Sequence, residues 1–385
     1  MRRALAGTET TIMVNEILLG DIREIAPTLP TGSVNCIVTS PPYWGLRDYG
    51  VAGQIGLEPT PEEYVTGLVG IFQELRRVLA DDGTLWLNLG DTYATGGGGR
   101  EYQSYNGNVG RRQIPDQKNP NSGIPEFQPN RSGNHGLKSK NLVGIPWRVA
   151  LALQADGWYL RSDIIWSKPN PMPESVTDRP TKAHEYIFLL AKSERYFYDA
   201  EAIKEPQSPD SLPRLMRGVS DNHKNVNGAP GQPPHSMNQP RKNVRGARPF
   251  GGAGNGKQNT DRRDYLYTGD NGYRNKRSVW EVTLKPYAEA HFATFPPELI
   301  RPCILAGCPA GGVVLDPFFG SGTTGQVCVE TGRNWLGVEL NPKYIKLAKK
   351  RMAGAQPPLI VPGVHVPANN GLHRTGEAGQ TKMVF

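Results

Sequence analysis

Short apolar runs alternate with helix-like runs along most of this chain, and this alternation limits its fold more than any other feature. The strand-like runs are rich in Val, Ile, Leu and aromatic residues: VNEILLG, VNCIVT, TLWLNLG, YLRSDIIWS, EYIFLLA, RYFYD, GGVVLDP and NWLGVEL. Parallel strands joined by helices need both faces of their sheet covered. The sequence therefore predicts an α/β fold with a mostly parallel sheet and helices on both faces.

Three helix-like runs lie between the strands. Residues 60–83 present a single apolar face and are expected to end at Gly83; the face is formed by Leu68, Phe72, Leu75 and Leu79. A second helix is expected from Ile145 to about Ala155. A third is expected after the N-cap residue Asn341, because Pro342 follows it at the first helical position.

The composition excludes several classes of protein. No apolar run approaches the ~20 residues that span a bilayer, and the N-terminus lacks the continuous apolar segment of a secretory signal. The four cysteines lie mostly in apolar contexts without metal-binding spacing, which predicts reduced, buried thiols; they are Cys36, Cys303, Cys308 and Cys328. We therefore expect a cytoplasmic protein that holds no metal and contacts no membrane.

Positive charge is concentrated in the middle of the chain. Residues 204–277 contain 14 Lys and Arg against six Asp and Glu, an excess that equals the net charge of the whole chain, +8. The same residues are rich in Gly, Asn, Gln and Pro, and Tyr265, Tyr267 and Tyr273 lie near their end. This composition suits contact with a polyanion, although a solvated linker also explains it. Residues 92–140 predict a second long irregular loop.

A glycine-rich turn in the C-terminal third predicts a nucleotide site. The run GGVVLDPFFGSGTTG places a strand before Asp316, a G-x-G-x-x-G turn at residues 320–325 and a helix from about Thr323. The next strand, NWLGVEL, ends in Glu339, an acid in position to hold the two hydroxyls of a ribose. An adenosine cofactor is favoured because the turn lies between two strands and each strand ends in an acid, Asp316 or Glu339.

The short C-terminal remainder weighs against a dinucleotide. Only 46 residues follow Glu339, and a dehydrogenase needs a second mononucleotide-binding half there. The companion strands must therefore come from the N-terminal half, so the sheet is expected to be built from a circularly permuted chain. A nicotinamide-dependent oxidoreductase remains an alternative, but it leaves the next motif unexplained.

That motif is TSPPYW, residues 39–44, directly after the strand VNCIVT. Two prolines stop the strand, because neither donates to a ladder and each fixes its φ angle. A hydroxyl, a rigid backbone carbonyl and an aromatic side chain then follow at the carboxyl end of the strand, where α/β sheets bind their ligands. A simple turn is the alternative for this motif taken alone.

Together, TSPPYW and DPFFGSGTT resemble the two diagnostic motifs of the amino-group DNA methyltransferases that use S-adenosylmethionine. The order of the parts, with the catalytic motif first, the basic residues in the middle and the cofactor motif last, is similar to the permuted beta class of that family. The resemblance covers residues 14–205 and 278–352. It implies a Rossmann-like methyltransferase sheet, circularly permuted, with an irregular basic recognition segment.

The resemblance also implies a division of the chain. Residues 1–13 form an N-terminal extension, and residues 14–205 form the catalytic half, which contains the loop 92–140. Residues 206–277 form the target-recognition segment and residues 278–352 the cofactor-binding half. Residues 353–385 form a flexible tail.

For catalysis, the resemblance implies that Ser40 and the backbone carbonyl of Pro41 accept hydrogen bonds from the target amine, while Pro42 makes that carbonyl rigid. Tyr43 is expected to stack on a flipped base. Transfer is a direct displacement, so no nucleophilic cysteine is needed. Cys303 is interpreted as a buried helix residue, because no cationic partner surrounds it in the sequence.

For S-adenosylmethionine, the resemblance assigns an adenine contact to Asp21 and a ribose contact to Glu339. The methionine part is expected to lie on the turn and on two nearby phenylalanines; these residues are Asp316, Phe318, Gly320, Ser321, Gly322, Thr323, Phe292 and Phe295. Double-stranded DNA is the implied partner. A cognate restriction nuclease is compatible with the family, and monomer and homodimer stay open.

The target atom is predicted from the first motif residue. The family's adenine N6 enzymes mostly carry Asp or Asn there, and its cytosine N4 enzymes mostly carry Ser, as Ser40 is here. We therefore expect N4 of cytosine, with N6 of adenine as the alternative. A DNA-binding module without activity and a protein-amide methyltransferase are further alternatives, but the latter family carries Asn where Ser40 stands and is not permuted.

Overall fold

The computed structural model describes residues 12–46, 49–94, 137–207, 273–285 and 294–358. The chain divides into two compact units, one of residues 1–199 and 278–385 and one of residues 200–277. Most of the predicted loop 92–140, most of the basic segment 206–277 and most of the tail lie outside the described residues, and so does Phe292.

The elements follow one another as alternating strands and helices. The strands are β1 (Glu16–Leu19), β2 (Val34–Thr39), β3 (Leu79–Leu89), β4 (Tyr159–Ser167), β5 (His184–Ala191), β6 (Glu205–Pro206), β7 (Tyr273–Arg274), β8 (Val279–Glu281), β9 (Val313–Asp316) and β10 (Asn334–Glu339). The α-helices are α1 (Ile22–Ile25), α2 (Pro61–Val78), α3 (Ile145–Ala155), α4 (Pro297–Gly307), α5 (Thr323–Thr331) and α6 (Pro342–Ala353).

In the larger unit, eight strands of the described residues form one sheet in the order β1-β10-β9-β2-β3-β5-β4-β8. Strand β5 runs antiparallel to both of its neighbours, and all the other pairs in this sheet are parallel. The prediction of a mostly parallel α/β sheet is therefore confirmed. The C-terminal strands β9 and β10 pair with the N-terminal strands β2 and β1, as the short C-terminal remainder requires.

Helices cover both faces of this sheet. Successive side chains of each strand point to opposite faces, so the neighbours of one residue show what packs on each face. Ile37, Leu85 and Leu87 face the cluster that also contains the buried residues of α2 and α3. Their neighbours Cys36 and Thr84 face α4, where a Cβ added to Gly307 would lie 2.6 Å from the Thr84 hydroxyl. Each face thus has its own helices, and α4 approaches closely because it carries a glycine.

Helix α2 begins as its sequence predicts and ends earlier than predicted. The Thr60 hydroxyl accepts from the backbone N–H of Glu63 at 3.1 Å, and the apolar face packs into the core with Leu75 fully buried. The expected end at Gly83 is wrong, because Leu79 takes an extended conformation and pairs with Val34 of β2. Strand pairing in the sheet overrides the helical period of the sequence at this point.

The run RYFYD, residues 195–199, was expected to form a strand and does not. Phe197 donates a backbone hydrogen bond to Asp82, and Asp199 donates one to Ala306 of α4, at 2.8 and 2.9 Å. These bonds go to two different elements, so no ladder forms. The helices expected near Ile145, Thr323 and Pro342 are confirmed, and the side chain of Asn341 caps α6.

In the smaller unit, β6 and β7 pair antiparallel, and Glu205 receives hydrogen bonds from Arg274 and Arg277 at 3.0 and 2.8 Å. Two arginines therefore converge on one carboxylate at the point where the chain enters and leaves this unit. No helix within the described ranges is long and apolar enough to cross a membrane.

Candidate active site

Four neighbouring strands end at one edge of the sheet, and each ends in or is followed by a predicted site residue. Along this edge the order β1, β10, β9, β2 places Asp21, Glu339, the glycine-rich turn and Ser40 in a row. Neighbouring strands lie about 4.8 Å apart, so the row spans about 14 Å. An extended ligand that needs several different contacts along its length can lie against such a row.

A cavity of about 260 Å³ opens at this edge. Twelve of the fourteen predicted site residues line it: Asp21, Ser40, Pro41, Pro42, Tyr43, Phe295, Asp316, Phe318, Gly320, Ser321, Thr323 and Glu339. Gly322 is not among the lining residues, and Phe292 lies outside the described part of the chain. The structure thus gathers into one place residues that the sequence separates by more than three hundred positions.

Asp316 joins the two predicted motifs. Its buried carboxylate accepts from the hydroxyl of Thr39 at 2.7 Å, from the hydroxyl of Thr324 at 2.6 Å and from the backbone N–H of Phe318 at 3.1 Å. Burial raises the pKa of Asp316 to about 6, although these hydrogen bonds lower it in part. Because Thr39 directly precedes Ser40, this carboxylate fixes the end of β2 against the glycine-rich turn.

Glu339 holds the other side of the turn. One carboxylate oxygen accepts from the backbone N–H of Gly320, and the other accepts from the backbone N–H of Asn341, both at 2.7 Å. Burial raises the pKa of Glu339, and the two backbone hydrogen bonds act in the opposite direction. Each carboxylate oxygen has a second lone pair that is able to accept from a ligand hydroxyl.

The turn itself presents a backbone surface and one unsatisfied hydroxyl. Gly320 has φ +53°, and a Cβ added there would meet only the carbonyl oxygen of Phe318, at 3.9 Å. The buried hydroxyl of Ser321 has no hydrogen-bond partner among the described residues. Buried polar groups are normally paired, so this hydroxyl is placed to contact a polar group of a bound molecule.

Gly322 serves packing instead of lining the cavity. A Cβ at Gly322 would lie 2.8 Å from the Cβ of Ala348 in α6, and the residue has φ +81° at the start of α5. A Cβ added to the third glycine of the pattern, Gly325, would similarly lie 2.7 Å from the ring of Phe319. Only the first glycine of the G-x-G-x-x-G pattern therefore faces the cavity, and the other two allow helices and an aromatic ring to approach.

Asp21 lies at the end of β1 and is engaged by Arg23. The Asp21 carboxylate caps α1 and forms a bidentate ion pair with the Arg23 guanidinium. Burial by itself raises the pKa of Asp21, but the hydrogen bonds and the charge of Arg23 outweigh it and lower the pKa overall. Arg23 also donates to the carbonyl of Gly53 at 2.6 Å, so the pair connects β1 to the loop over the cavity.

At the other end of the row, Ser40 and Tyr43 belong to a polar network. The Ser40 hydroxyl lies 3.2 Å from the Tyr43 hydroxyl, which in turn lies 2.7 Å from a carboxylate oxygen of Glu185. The Tyr43 ring packs on Gly90, where an added Cβ would lie 2.5 Å from the ring. Burial raises the pKa of Tyr43 well above its usual value, so the phenol stays protonated.

The diproline is held by a second tyrosine. The hydroxyl of Tyr64 in α2 donates to the carbonyl of Pro42 at 2.8 Å. Within the described ranges nothing donates to the carbonyl of Pro41. The carbonyl that the sequence assigned to the target amine is therefore available, and its neighbour is fixed.

Three polar residues of this network were not predicted from the sequence: Asn88, Lys168 and Glu185. Asn88 donates to Glu185 at 3.2 Å and to the carbonyl of Tyr186 at 3.0 Å, and Lys168 forms an ion pair with Glu185. The Lys168 ammonium also lies 4.3 Å from the centroid of the Trp166 ring. The available sign in the sequence was a polar residue, Asn88, inside the apolar run TLWLNLG.

The cysteines take no part in this site. All four are free and buried, and Cys303 lies in α4 with its thiol bonded to the carbonyl of Leu299. Burial raises the pKa of Cys328 well above its usual value, which disfavours a reactive thiolate. The interpretation of Cys303 as a buried helix residue is confirmed.

Comparison with known proteins finds a matching family model and close relatives. The model of a family described as DNA methylase, covering N6 and N4 enzymes, matches residues 34–350. The type II methyltransferase M.Cfr9I of Citrobacter freundii is 46% identical over 335 residues, which are 87% of this chain and 86% of that protein. The type II methyltransferase M.SmaI of Serratia marcescens is 42% identical over 345 residues, 89% of this chain and 92% of the relative.

Among solved structures, the cytosine-N4-specific PvuII DNA methyltransferase superimposes with a TM-score of 0.52 at 16% identity. The alignment covers 89% of this chain and 87% of that protein. At this identity the likeness shows a shared fold, the Rossmann-like methyltransferase fold.

Proposed function

We propose, from the premise that this chain belongs to the N6/N4 DNA methylase family, that it is a site-specific type II methyltransferase that modifies N4 of cytosine in double-stranded DNA. The methyl donor is S-adenosylmethionine. The observation that carries the proposal is the 2.7 Å hydrogen bond between Thr39 and Asp316. It fixes the Ser-Pro-Pro-Tyr motif beside the glycine-rich turn, so that a methyl donor on the turn meets an amine held by the motif.

The cavity residues suit S-adenosylmethionine along its whole length. Asp21 would hold the adenine end and Glu339 the ribose, and the unpaired Ser321 hydroxyl with Thr323 would hold the methionine end. Phe295 and Phe318 supply apolar contacts beside them, and Gly320 and Gly322 shape the turn. When bound, this cofactor supplies an electrophilic methyl group on a sulfonium.

The catalytic motif suits an exocyclic amine. Ser40 and the Pro41 carbonyl present acceptors to the two N–H groups, which turns the nitrogen lone pair toward the methyl group. Tyr43, fixed by Glu185 through its hydroxyl, offers a ring on which a flipped base stacks. The serine at the first motif position supports cytosine over adenine.

A nucleoside analysis tests the proposal directly. The protein is expressed in cells without endogenous methylation, and their DNA is digested and separated by mass. We expect N4-methylcytosine, and clearly less of it from cells that express Ser40→Ala at the same level. A product that is only N6-methyladenine contradicts the cytosine assignment, and unmodified DNA contradicts the proposed activity.

The basic segment is proposed to bind the DNA. Removing residues 210–270 should abolish methylation and leave the affinity for S-adenosylmethionine nearly unchanged, because the proposed cofactor residues lie outside that range. Binding of the intact protein to duplex DNA should weaken steeply with salt, as counterions are released. Calorimetry with S-adenosylmethionine and a salt series with labelled duplex check both statements. A deletion variant that folds but loses cofactor binding would place the segment in the catalytic core.

As a type II enzyme, the chain is proposed to act beside a restriction nuclease that cuts the same sequence. Its two relatives named above are type II methyltransferases that match it over most of their length. Sequencing the genome of the expressing strain with a modification-sensitive method identifies the site, and resistance of that DNA to one matching nuclease checks the pairing.

A further inference from the structure

Three groups at the catalytic end form a continuous chain of hydrogen bonds. Ser40, Tyr43 and Glu185 lie in a line, with 3.2 Å between the two hydroxyls and 2.7 Å from the phenol to the carboxylate. Ser40 and Tyr43 belong to the motif after β2, and Glu185 belongs to β5; all three line the cavity. The arrangement begins at the hydroxyl that faces the target amine and ends at a negative charge.

The chemistry of the three groups fixes the direction of the path. A carboxylate only accepts hydrogen bonds, so the Tyr43 hydroxyl donates to Glu185. The Tyr43 oxygen is then free to accept, and the Ser40 hydroxyl donates to it. Ser40 therefore turns its lone pairs toward the cavity, which is the orientation that an acceptor for an amine N–H requires.

Two neighbours hold the Glu185 carboxylate in place. The Lys168 ammonium pairs with one carboxylate oxygen, and the Asn88 amide donates to the other at 3.2 Å. The Glu185 side chain is 15% exposed, so a proton that arrives there exchanges with solvent. A buried charge pair is costly to assemble unless further hydrogen bonds stabilise it. Here both oxygens of the Glu185 carboxylate have partners, Lys168 on one and Asn88 with Tyr43 on the other.

We propose that Glu185 takes up the proton that the target amine loses during methyl transfer, through Tyr43 and Ser40. The nitrogen lone pair forms the bond to the methyl carbon, and the electron pair of the carbon–sulfur bond returns to sulfur. The nitrogen then carries one proton too many. That proton passes to the Ser40 oxygen, the Ser40 proton passes to the Tyr43 oxygen, and the Tyr43 proton passes to the Glu185 carboxylate.

This inference rests on the proposed amino-methyltransferase activity, and it holds for either amine, because cytosine N4 and adenine N6 lose the same proton. Glu185 acts through Tyr43 and Ser40 and is therefore a positioning and proton-accepting residue. Its removal should slow the transfer step and leave the binding of cofactor and DNA unchanged.

The test measures single-turnover methylation of unmethylated plasmid DNA with enzyme in excess. Glu185→Gln keeps the shape of the side chain and removes its charge. Tyr43→Phe keeps the aromatic ring and removes the hydroxyl that passes the proton. Each variant should lower the rate of methyl transfer about 100-fold. The double variant should be no slower than either single variant, because both break one path. Glu185→Asp should recover part of the rate. KM for both substrates and the calorimetric cofactor affinity should stay within about twofold of wild type.

Glu330→Gln is the matched control. Like Glu185, Glu330 is a largely covered carboxylate that receives one amide, from Gln326, and one cation, from Arg301. It does not line the cavity, so its variant should methylate at the wild-type rate. A Glu185→Gln variant as fast as this control, or a double variant slower by the product of the two single effects, overturns the relay.

An infrared measurement tests the path without cofactor or DNA. The difference spectrum between wild type and Glu185→Gln should contain the bands of an ionised carboxylate, and Tyr43→Phe should shift those bands. A band of a protonated carboxyl group in their place overturns the proposal, since no acceptor would be present.

If the wild-type protein methylates no amine, both the proposed function and the relay are wrong. If the wild-type protein is active and Glu185→Gln is equally active, only the relay is wrong.

Discussion

Two parts of the active-site row are built in different ways. In the glycine-rich turn, residues 316–325, two acids make local contacts: Asp316 bonds Thr324 eight residues away, and Glu339 bonds Gly320 nineteen residues away. One long-range bond, from Thr39 to Asp316, joins this turn to β2. In the catalytic network the partners are distant. Tyr43 bonds Glu185 across 142 residues, and Asn88 bonds Glu185 across 97.

The difference explains which parts a short motif specifies. A turn between one strand and one helix carries its own conformation in its glycines and in the acid that precedes it. The network exists only when β2, β3, β4 and β5 stand side by side in the right register. Disturbing the turn should therefore affect ligand binding or local packing, whereas disturbing the network should affect the rate of the chemical step.

The largest expected effect separates two glycines of the turn. Gly320→Val directs a side chain into the cavity, where its Cβ meets only the carbonyl oxygen of Phe318, and it also strains the backbone at φ +53°. It should lower the affinity for S-adenosylmethionine about 1000-fold. Gly322→Ala should lower the free energy of unfolding by about 2 kcal/mol, because its Cβ meets Ala348. Calorimetry and urea unfolding of both variants measure the two effects. If Gly320→Val left the cofactor affinity unchanged, or Gly322→Ala left the free energy of unfolding unchanged, the two glycines would not have the separate roles assigned to them.

A second prediction concerns Asp316 and pH. Its pKa is about 6 in the folded protein against an ordinary value of 3.8, so the folded state holds this proton more tightly than the unfolded state. The contribution of Asp316 to stability is then greatest below pH 4 and decreases as pH rises toward 6, by about 3 kcal/mol in total. Asp316→Asn lacks this dependence.

The measurement is urea unfolding of wild type and Asp316→Asn without cofactor, at pH 4.5 and at pH 7.5. The stability of the variant relative to wild type should rise between the two values. Asp81→Asn, at a fully exposed side chain, is the control. A relative stability that falls over the same interval contradicts the stated direction for Asp316.

The smallest expected effect tests the network end. Ser40→Ala removes one acceptor for the amine, a loss of about 1–3 kcal/mol, and should slow single-turnover methylation about 10- to 100-fold. Cofactor affinity should not change, because Ser40 bonds Tyr43 and not the turn. Ser162→Ala, on β4 outside the cavity, serves as the matched control and should match wild type. Loss of cofactor affinity in Ser40→Ala would mean that the two ends of the row are not separable.

Much of this architecture was predictable from the sequence. Local pattern and residues with narrow backbone preferences predict the strands VNCIVT and YLRSDIIWS, the helix that starts at Ile145, the Asn341 cap of the helix that starts at Pro342, and the turn after Asp316. The end of α2 and the run RYFYD were predicted wrongly. At the end of α2 the pattern of apolar residues favoured a longer helix, and strand pairing formed instead. At RYFYD the pattern favoured a strand, and hydrogen bonds to two distant elements prevented one.

The sequence by itself determined the turn, the diproline and the parallel sheet, because glycine, proline and the period of apolar residues act over a few neighbours. It also determined that Asp21 and Ser40 follow strands and that Glu339 ends one. Only the tertiary structure decided that these strands are adjacent in that order, that Gly322 packs on a helix while Gly320 faces the cavity, and that Glu185 lies beside Tyr43. Register and strand order depend on the burial of the whole sheet, and no short stretch of sequence encodes them.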